Sequence, residues 1–393
     1  MKIEKSSRIS NLGKYAFAEV DKQVDALKKQ GITPIDFGVG DPQLPTPDII
    51  RTACKKALDN RKSSGYPNYI GAEDYRQKIA EWCDNRFRIS LDSDKEIIAS
   101  LGSKESVFNF PLGFVNPGDY VLVPNPGYPP YQRGTEFAGG KVHFMNLTEE
   151  NNFFPKFDEI PADIAKKAKI MWLNYPNNPT TALANKAQYK EAIDFSHDNN
   201  IIIASDEPYT ENYYDEDKKP ISILEVDREG IVVFQSLSKR SNMTCYRIGW
   251  TMGDENIIEP FKKVKTNIDS GAPSFIQDAG IAALNDEKHV EEFRKDYKQK
   301  RDIMIKAMTD AGCPDCTPDA TIYIWQKAPN DMGCVDFAKK LLDPKVGVVT
   351  TPGAWISDKA NGINPGENYI RFALVPELEQ VKEAAEKISN IQF

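Results

Sequence analysis

The chain has 393 residues, of which 40% are hydrophobic and 27% charged, and its formal net charge is −8. That length supports two or more domains around sizeable cores, and the composition is that of a soluble globular protein. The acidic balance argues against a non-specific nucleic-acid binder, which needs clustered cations, and no apolar run nears the ~20 residues that cross a bilayer.

No internal repeat or low-complexity linker is evident, so the elements are taken in order. Residues 14–30 place apolar side chains at 17, 20, 24 and 27, a helical spacing. PIDFGVGDP then reads as a short strand ending in a glycine-rich turn. Short apolar runs follow at EIIASLG (96–102), DYVLVP (119–124), KIMWLNYP (169–176), IIIASDEPY (201–209) and GIVVFQSLSK (230–239), with helical stretches such as 71–86 and 185–199 between them. Buried strands alternating with helices predict an α/β unit with a mostly parallel sheet, which binds ligands beyond the carboxyl ends of its strands. From about 286 the pattern changes to one long charged helix ending at a glycine. The strands ATIYIWQKA, VGVVTTPG and NYIRFALV and a closing helix come after it. This reads as a smaller α+β domain.

The leading residues MKIEKSSRISNLGKY lack the apolar segment of a secretory leader, so a cytoplasmic location is the expectation. Six cysteines in so long a chain do not suggest a disulfide framework. Cys313-Pro-Asp-Cys316 has redox or metal spacing, yet without a second such pair or a nearby histidine a plain turn is the simpler reading. The scattered His143, His197 and His289 have no nucleophile motif beside them and read as structural or exposed.

Polar clusters sit where the strands end. SLSK (236–239) runs to Arg247, placing hydroxyls and a cation suited to an anion around a lysine. A lysine becomes a useful nucleophile once its surroundings lower its pKa, although a lone lysine after a strand is more often a solvated loop residue. Asp206 closes the apolar IIIASD and so needs a cationic partner in a poorly solvated place. A pyridinium nitrogen would serve, and a carboxylate there keeps a pyridoxal ring protonated as an electron sink. Tyr209 adds a phenol, Asn178 an amide, and Tyr128 an aromatic face for stacking. Gly102-Ser103-Lys104 before a helical run offers free backbone amides to an anion. Singly, each is explained as a turn, a cap or a core tyrosine.

Together these residues resemble the class I aminotransferases, the pyridoxal-phosphate enzymes of the aspartate aminotransferase fold, over nearly the whole chain. The resemblance makes Lys239 the catalytic, Schiff-base lysine, with Ser236, Ser238 and Arg247 around the phosphate of pyridoxal 5′-phosphate. In NYPNNPT it gives Asn178 to the pyridoxal 3′-oxygen, and in DEPY it gives Asp206 to the ring nitrogen and Tyr209 to the 3′-oxygen. Ser103 and Lys104 become phosphate-binding amides, and Tyr128 becomes the stacking ring. Tyr66 of YPNYIG reaches the neighbouring subunit's phosphate, so a homodimer with shared sites is implied. Arg371 of NYIRFAL binds the substrate α-carboxylate opposite Gly40 of GVGDP, a task suited to its planar fork.

The implied fold is a large domain (46–285) with a seven-stranded, mostly parallel sheet between helices, and a smaller α+β domain built from both termini. An N-terminal arm and part of the small domain occupy 1–45; the interdomain helix and small domain occupy 286–393. Two departures fall in loops: Thr181 and Cys245 stand where the pattern has glycine, allowing a positive φ or a close approach. PGAWISD also differs, near the substrate side.

The implied reaction transfers an amino group from an amino acid to a 2-oxo acid such as 2-oxoglutarate. The N-terminal segment, VKTNIDSG, ATIYIW and SLSKRSNMT are similar to diaminopimelate-type aminotransferases, of the LL- or N-succinyl-diaminopimelate kind, which points to lysine biosynthesis. Around the place of a side-chain arginine the chain offers Lys265 and Thr266, whereas Lys104 matches the lysine some relatives use for a distal carboxylate. Diaminopimelate, glutamate and aspartate all carry one. The alternatives are a pyridoxal-dependent β-lyase on the same fold and a non-enzymatic cofactor-binding relative; no metal, membrane or nucleic-acid partner is expected.

Overall fold

The computed structural model describes residues 3–10, 18–29, 31–62 and 65–393. Of the helix expected over 14–30, Ala18–Lys29 is helical, while residues 14–17 and Gln30 lie outside the described residues.

Twelve strands are described, in three sheets. β1 (Ile35–Asp36) is followed by β2 (Ile97–Ser100), β3 (Tyr120–Asn125), β4 (Lys141–Asn146), β5 (Ala168–Leu173), β6 (Ile202–Asp206), β7 (Ile231–Ser236) and β8 (Gly249–Gly253). β9 (Tyr323–Lys327), β10 (Val348–Val349), β11 (Thr351–Pro352) and β12 (Tyr369–Ala373) complete the set. The main sheet has the order β2-β8-β7-β6-β5-β3-β4. β8 runs antiparallel to both neighbours and the remaining pairs are parallel.

The alternation of side chains along each strand explains how one sheet supports two cores. On β5, Met171 and Leu173 join a core with Ile203, Val233 and Trp250. Ile170 and Trp172 face the other way, with Val121, Val232 and Phe234. Both faces are covered, so β7 is buried at every position, and its first four residues, Ile231 to Phe234, read in sequence as an apolar run. Helices begin where local chemistry allows: Asn185 and Gln188 form a reciprocal cap at Lys186–Asn199, with both hydrogen bonds at 3.0 Å.

The third core gathers both ends of the chain. Ile35 and Phe37 pack with Met304 and Met308 of the long helix Lys288–Asp310, with Ile324 and Phe372, and with Val381 and Ile388 of the last helix. β1 pairs in parallel with β10, which fixes the GVGDP turn beside the strands that carry the C-terminal residues. β9, β12 and β11 form an antiparallel sheet in which Arg371 lies opposite Trp325 and Thr351.

Candidate active site

The polar clusters that follow β2, β3, β5, β6 and β7 open into one cavity of about 650 Å³. Gly40, Ser103, Lys104, Tyr128, Asn178, Asp206, Tyr209, Ser236, Ser238, Lys239, Arg247 and Arg371 all line it. Segments nearly the length of the chain apart therefore meet at the carboxyl edge of the sheet, where such sheets bind ligands.

Ser236 ends β7 and turns the chain: its hydroxyl accepts from the amide of Ser238 at 3.1 Å and donates to the Ser238 hydroxyl at 2.9 Å. The short helix Leu237–Arg240 then presents Lys239, whose ammonium donates to the carbonyl of Gly40. Burial holds this amine below the ordinary lysine range, the direction that makes it a nucleophile or base. Arg247 sits at φ +52° and donates to the carbonyls of Thr244 at 2.8 Å and Leu101 at 3.0 Å. Its guanidinium presses on Gly102, where a Cβ would come within 2.4 Å of a terminal nitrogen. Gly102 at φ +77° also opens the helix Ser103–Asn109. Two hydroxyls and a guanidinium thus surround one end of the cavity.

Asp206, 3% exposed, ends β6. One carboxylate oxygen accepts from the Tyr131 hydroxyl at 2.7 Å; the other has no protein partner. Burial pushes this carboxyl up to about 7, against the pull of Tyr131. A buried carboxylate with a free oxygen facing a cavity suits a cationic N–H donor. Asn174, not singled out from sequence, fixes the surroundings: its amide donates to the Asp206 carbonyl at 2.6 Å, and its oxygen accepts from the amide of Asn178 at 2.8 Å.

The opposite wall centres on Arg371. Its guanidinium donates to the Asn178 side chain at 2.9 Å and to the Gly38 carbonyl at 2.8 Å, and lies 4.7 Å from the ring centroid of Tyr323. The Tyr323 hydroxyl meets that of Tyr209 at 3.1 Å. It also touches Gly40, where a Cβ would lie 2.2 Å from the phenol oxygen. Only glycine allows this close approach. Tyr131 and Tyr323, like Asn174, line the cavity without having been singled out from sequence; each of the two tyrosines sits in an aromatic run indistinguishable from core.

Tyr66 is not among the residues the cavity gathers; it is 83% exposed. Lys265 is fully buried, its ammonium held by Asp269 at 2.7 Å and Glu105 at 3.3 Å, so it is not a free cation beside the cavity. Lys104 is exposed at the cavity mouth. Thr181 does adopt a positive φ, +64°, whereas Cys245 lies in an ordinary turn, with Asn242 and Arg247 taking the left-handed conformations around it. His289 is bonded to Asp286 at 2.6 Å and to Ser241 at 2.9 Å, a structural role.

Residues 32–388 match the family described as aminotransferase class I and II. The chain is 44% identical to an LL-diaminopimelate aminotransferase of Aquifex aeolicus over 394 residues, covering 99% of this chain and 100% of that protein. It is 43% identical to the LL-diaminopimelate aminotransferase of Maridesulfovibrio salexigens over 98% of each chain. Among solved structures, an aminotransferase from Neisseria meningitidis superposes with a TM-score of 0.90 at 32% identity, over 97% of this chain and 98% of that one.

Proposed function

The chain belongs to the class I and II aminotransferases, and from that premise we propose that it binds pyridoxal 5′-phosphate and transfers an amino group from LL-diaminopimelate to a 2-oxo acid such as 2-oxoglutarate. The observation that carries the cofactor is the unpartnered, buried oxygen of Asp206, which shares a cavity with the amine of Lys239. The naming of the relatives at 44% and 43% identity supports the substrate.

The residues present fit such a group. Lys239 would hold its aldehyde carbon and Asp206 its ring nitrogen, with Tyr209 and Asn178 at the 3′-oxygen and Tyr128 against the ring face. Ser236, Ser238, Arg247 and the amides of Ser103 and Lys104 would hold the phosphate. When bound, the cofactor supplies an electron sink for charge developing on the substrate α-carbon.

The side chains then divide the work. Arg371 grips the α-carboxylate with two parallel N–H donors, and the Tyr323 ring beneath it and the Asn178 amide beside it hold the fork in orientation. The carbonyl of Gly40 faces the same space and receives the Lys239 ammonium. Lys239, with its pKa lowered by burial, takes the proton from Cα as a general base and returns it as an acid. Asp206 stays ionised once a cation reaches its free oxygen. Lys104 at the mouth would meet a distal carboxylate. Tyr66, exposed and outside this cavity, would serve the phosphate of a second copy's site in a homodimer.

The test is direct: purified protein saturated with pyridoxal 5′-phosphate is mixed with LL-diaminopimelate and 2-oxoglutarate, and glutamate is measured. Glutamate formation that depends on both substrates is the expected result. Pyruvate and ammonia released, without an acceptor, from an amino acid that carries a β-leaving group such as cystathionine would instead identify a β-lyase.

A further inference from the structure

β3 and β4, at one edge of the main sheet, each end in an asparagine, and Asn125 and Asn146 lie opposite one another in register. The Asn125 amide donates to the Asn146 side-chain oxygen at 2.8 Å and to the backbone carbonyl of Asp358 at 2.8 Å. Its own oxygen accepts from the backbone N–H of Asp358 at 2.8 Å. The Asn146 amide donates to the carbonyl of Ala360 at 3.0 Å, and the N–H of Gly127 to the carbonyl of Ile356 at 3.4 Å. Asn125 is 1% exposed and uses both amide hydrogens and its oxygen in these bonds.

The segment held in this way, 356–360, connects β11 to β12, the strand of Arg371. It crosses the sheet edge at the loop that carries Tyr128, and among the described residues 353–368 Ile356 is the one that lines the cavity. Backbone groups of a loop between short strands have no ladder to fix them; side chains of another sheet fix them instead. We propose that Asn125 and Asn146 are positioning residues of the substrate site, latching the 356–360 strap so that Ile356 forms an apolar wall that favours long, distally charged amino donors over shorter ones.

The chemistry follows from what such donors carry. A donor with several methylenes between its charged ends covers an apolar wall, and a shorter dicarboxylic acid covers less of it. The latch itself touches neither donor, so its loss should change how the substrate is received and leave proton transfer at Lys239 unaltered. The choice between donors rests on the aminotransferase reading; the latch does not.

The variants are Asn125→Leu, Asn146→Leu, their double, and Ile356→Ala. Tryptic cleavage after Lys359 is followed by mass spectrometry without any substrate. The kinetics of LL-diaminopimelate and glutamate are measured as separate donors. Cleavage should quicken roughly tenfold in the leucine variants, as expected for the loss of one or two such hydrogen bonds. The KM for LL-diaminopimelate should rise by about tenfold with kcat within about twofold, the signature of lost uniform binding. The double variant should be no worse than the poorer single one, because both belong to one latch. Ile356→Ala, which leaves the latch intact, should reduce the preference for LL-diaminopimelate over glutamate roughly fivefold. Unchanged cleavage in soluble leucine variants overturns the latch. An unchanged donor ratio in Ile356→Ala overturns the wall, and decides the matter even if the leucine variants do not fold. A wild-type protein without transamination would sink the aminotransferase reading, while the cleavage rates would still judge the latch.

Discussion

Asp206 and Tyr131, 75 positions apart in the chain, meet at 2.7 Å beneath the cavity, and the phenol satisfies one carboxylate oxygen while leaving the other free. This division sets the electrostatics of the site, because a buried carboxyl with a single donor titrates near neutrality.

A pH dependence follows. The folded carboxyl holds its proton up to about 7, against 3.8 when free, so the native state binds more protons between those values. Stability contributed by this group is present at low pH and is lost as pH rises through about 7. Asp206→Asn removes the titration. In thermal melts of cofactor-free protein, the variant should therefore gain on wild type as pH rises from 4 to 7, the window set by those values. A Tm difference independent of pH would show that the carboxyl titrates normally. Tyr131→Phe should raise the Asp206 pKa further, because the hydroxyl is the one contact lowering it.

Lys239 is expected to be the one lysine labelled when protein saturated with pyridoxal 5′-phosphate is reduced with borohydride and mapped by peptide. Lys239→Ala should keep the cofactor through the phosphate contacts and Asp206, yet lose at least ~10²–10⁴-fold in turnover along with its proton-transfer group. A label on another lysine refutes the assignment.

Two cations should separate by substrate. Arg371→Ala removes a contact common to every amino acid, so kcat/KM should fall for all donors. Lys104→Ala should lower it roughly ten- to a hundredfold for donors with a distal carboxylate, the worth of one charge-assisted hydrogen bond, and spare alanine. Equal losses for dicarboxylic and neutral donors would assign Lys104 to the phosphate turn alone.

The exposed Tyr66 gives a complementation test. Lys239→Ala homodimers should be inactive and Tyr66→Ala homodimers impaired in cofactor binding. Mixed chains should regain activity, because a hybrid joins an intact Lys239 to an intact Tyr66 from the other chain. Absence of any gain, with subunit exchange demonstrated, would place Tyr66 outside the site.

Much was legible in the sequence because motif and element share one short stretch. A buried strand of a parallel sheet is apolar throughout, so β2, β3, β5, β6 and β7 stand out, and the polar residues just beyond them had to lie at one edge. S-x-S-K, D-x-x-Y and the spacing to Arg247 are local, and a local pattern survives without knowing what it faces. β4 and β8 were not recognised. β4 is an edge strand, buried in full only at Met145, and β8 begins and ends in glycine, which weakens a strand signal. Tertiary structure alone decided that Tyr131 reaches Asp206, that Tyr323 lies under Arg371, that Lys265 is consumed by Glu105 and Asp269, and that Asn125 and Asn146 hold a strap more than 200 positions away. Apart from the Lys265–Asp269 pair, which is one helical turn, each of these is a contact between segments far apart in the chain. A tyrosine or asparagine has the same local pattern whether its polar atom meets water, a carboxylate or a distant backbone. Only packing sets which of these it meets, and with it the pKa of Asp206 and the shape of the cavity.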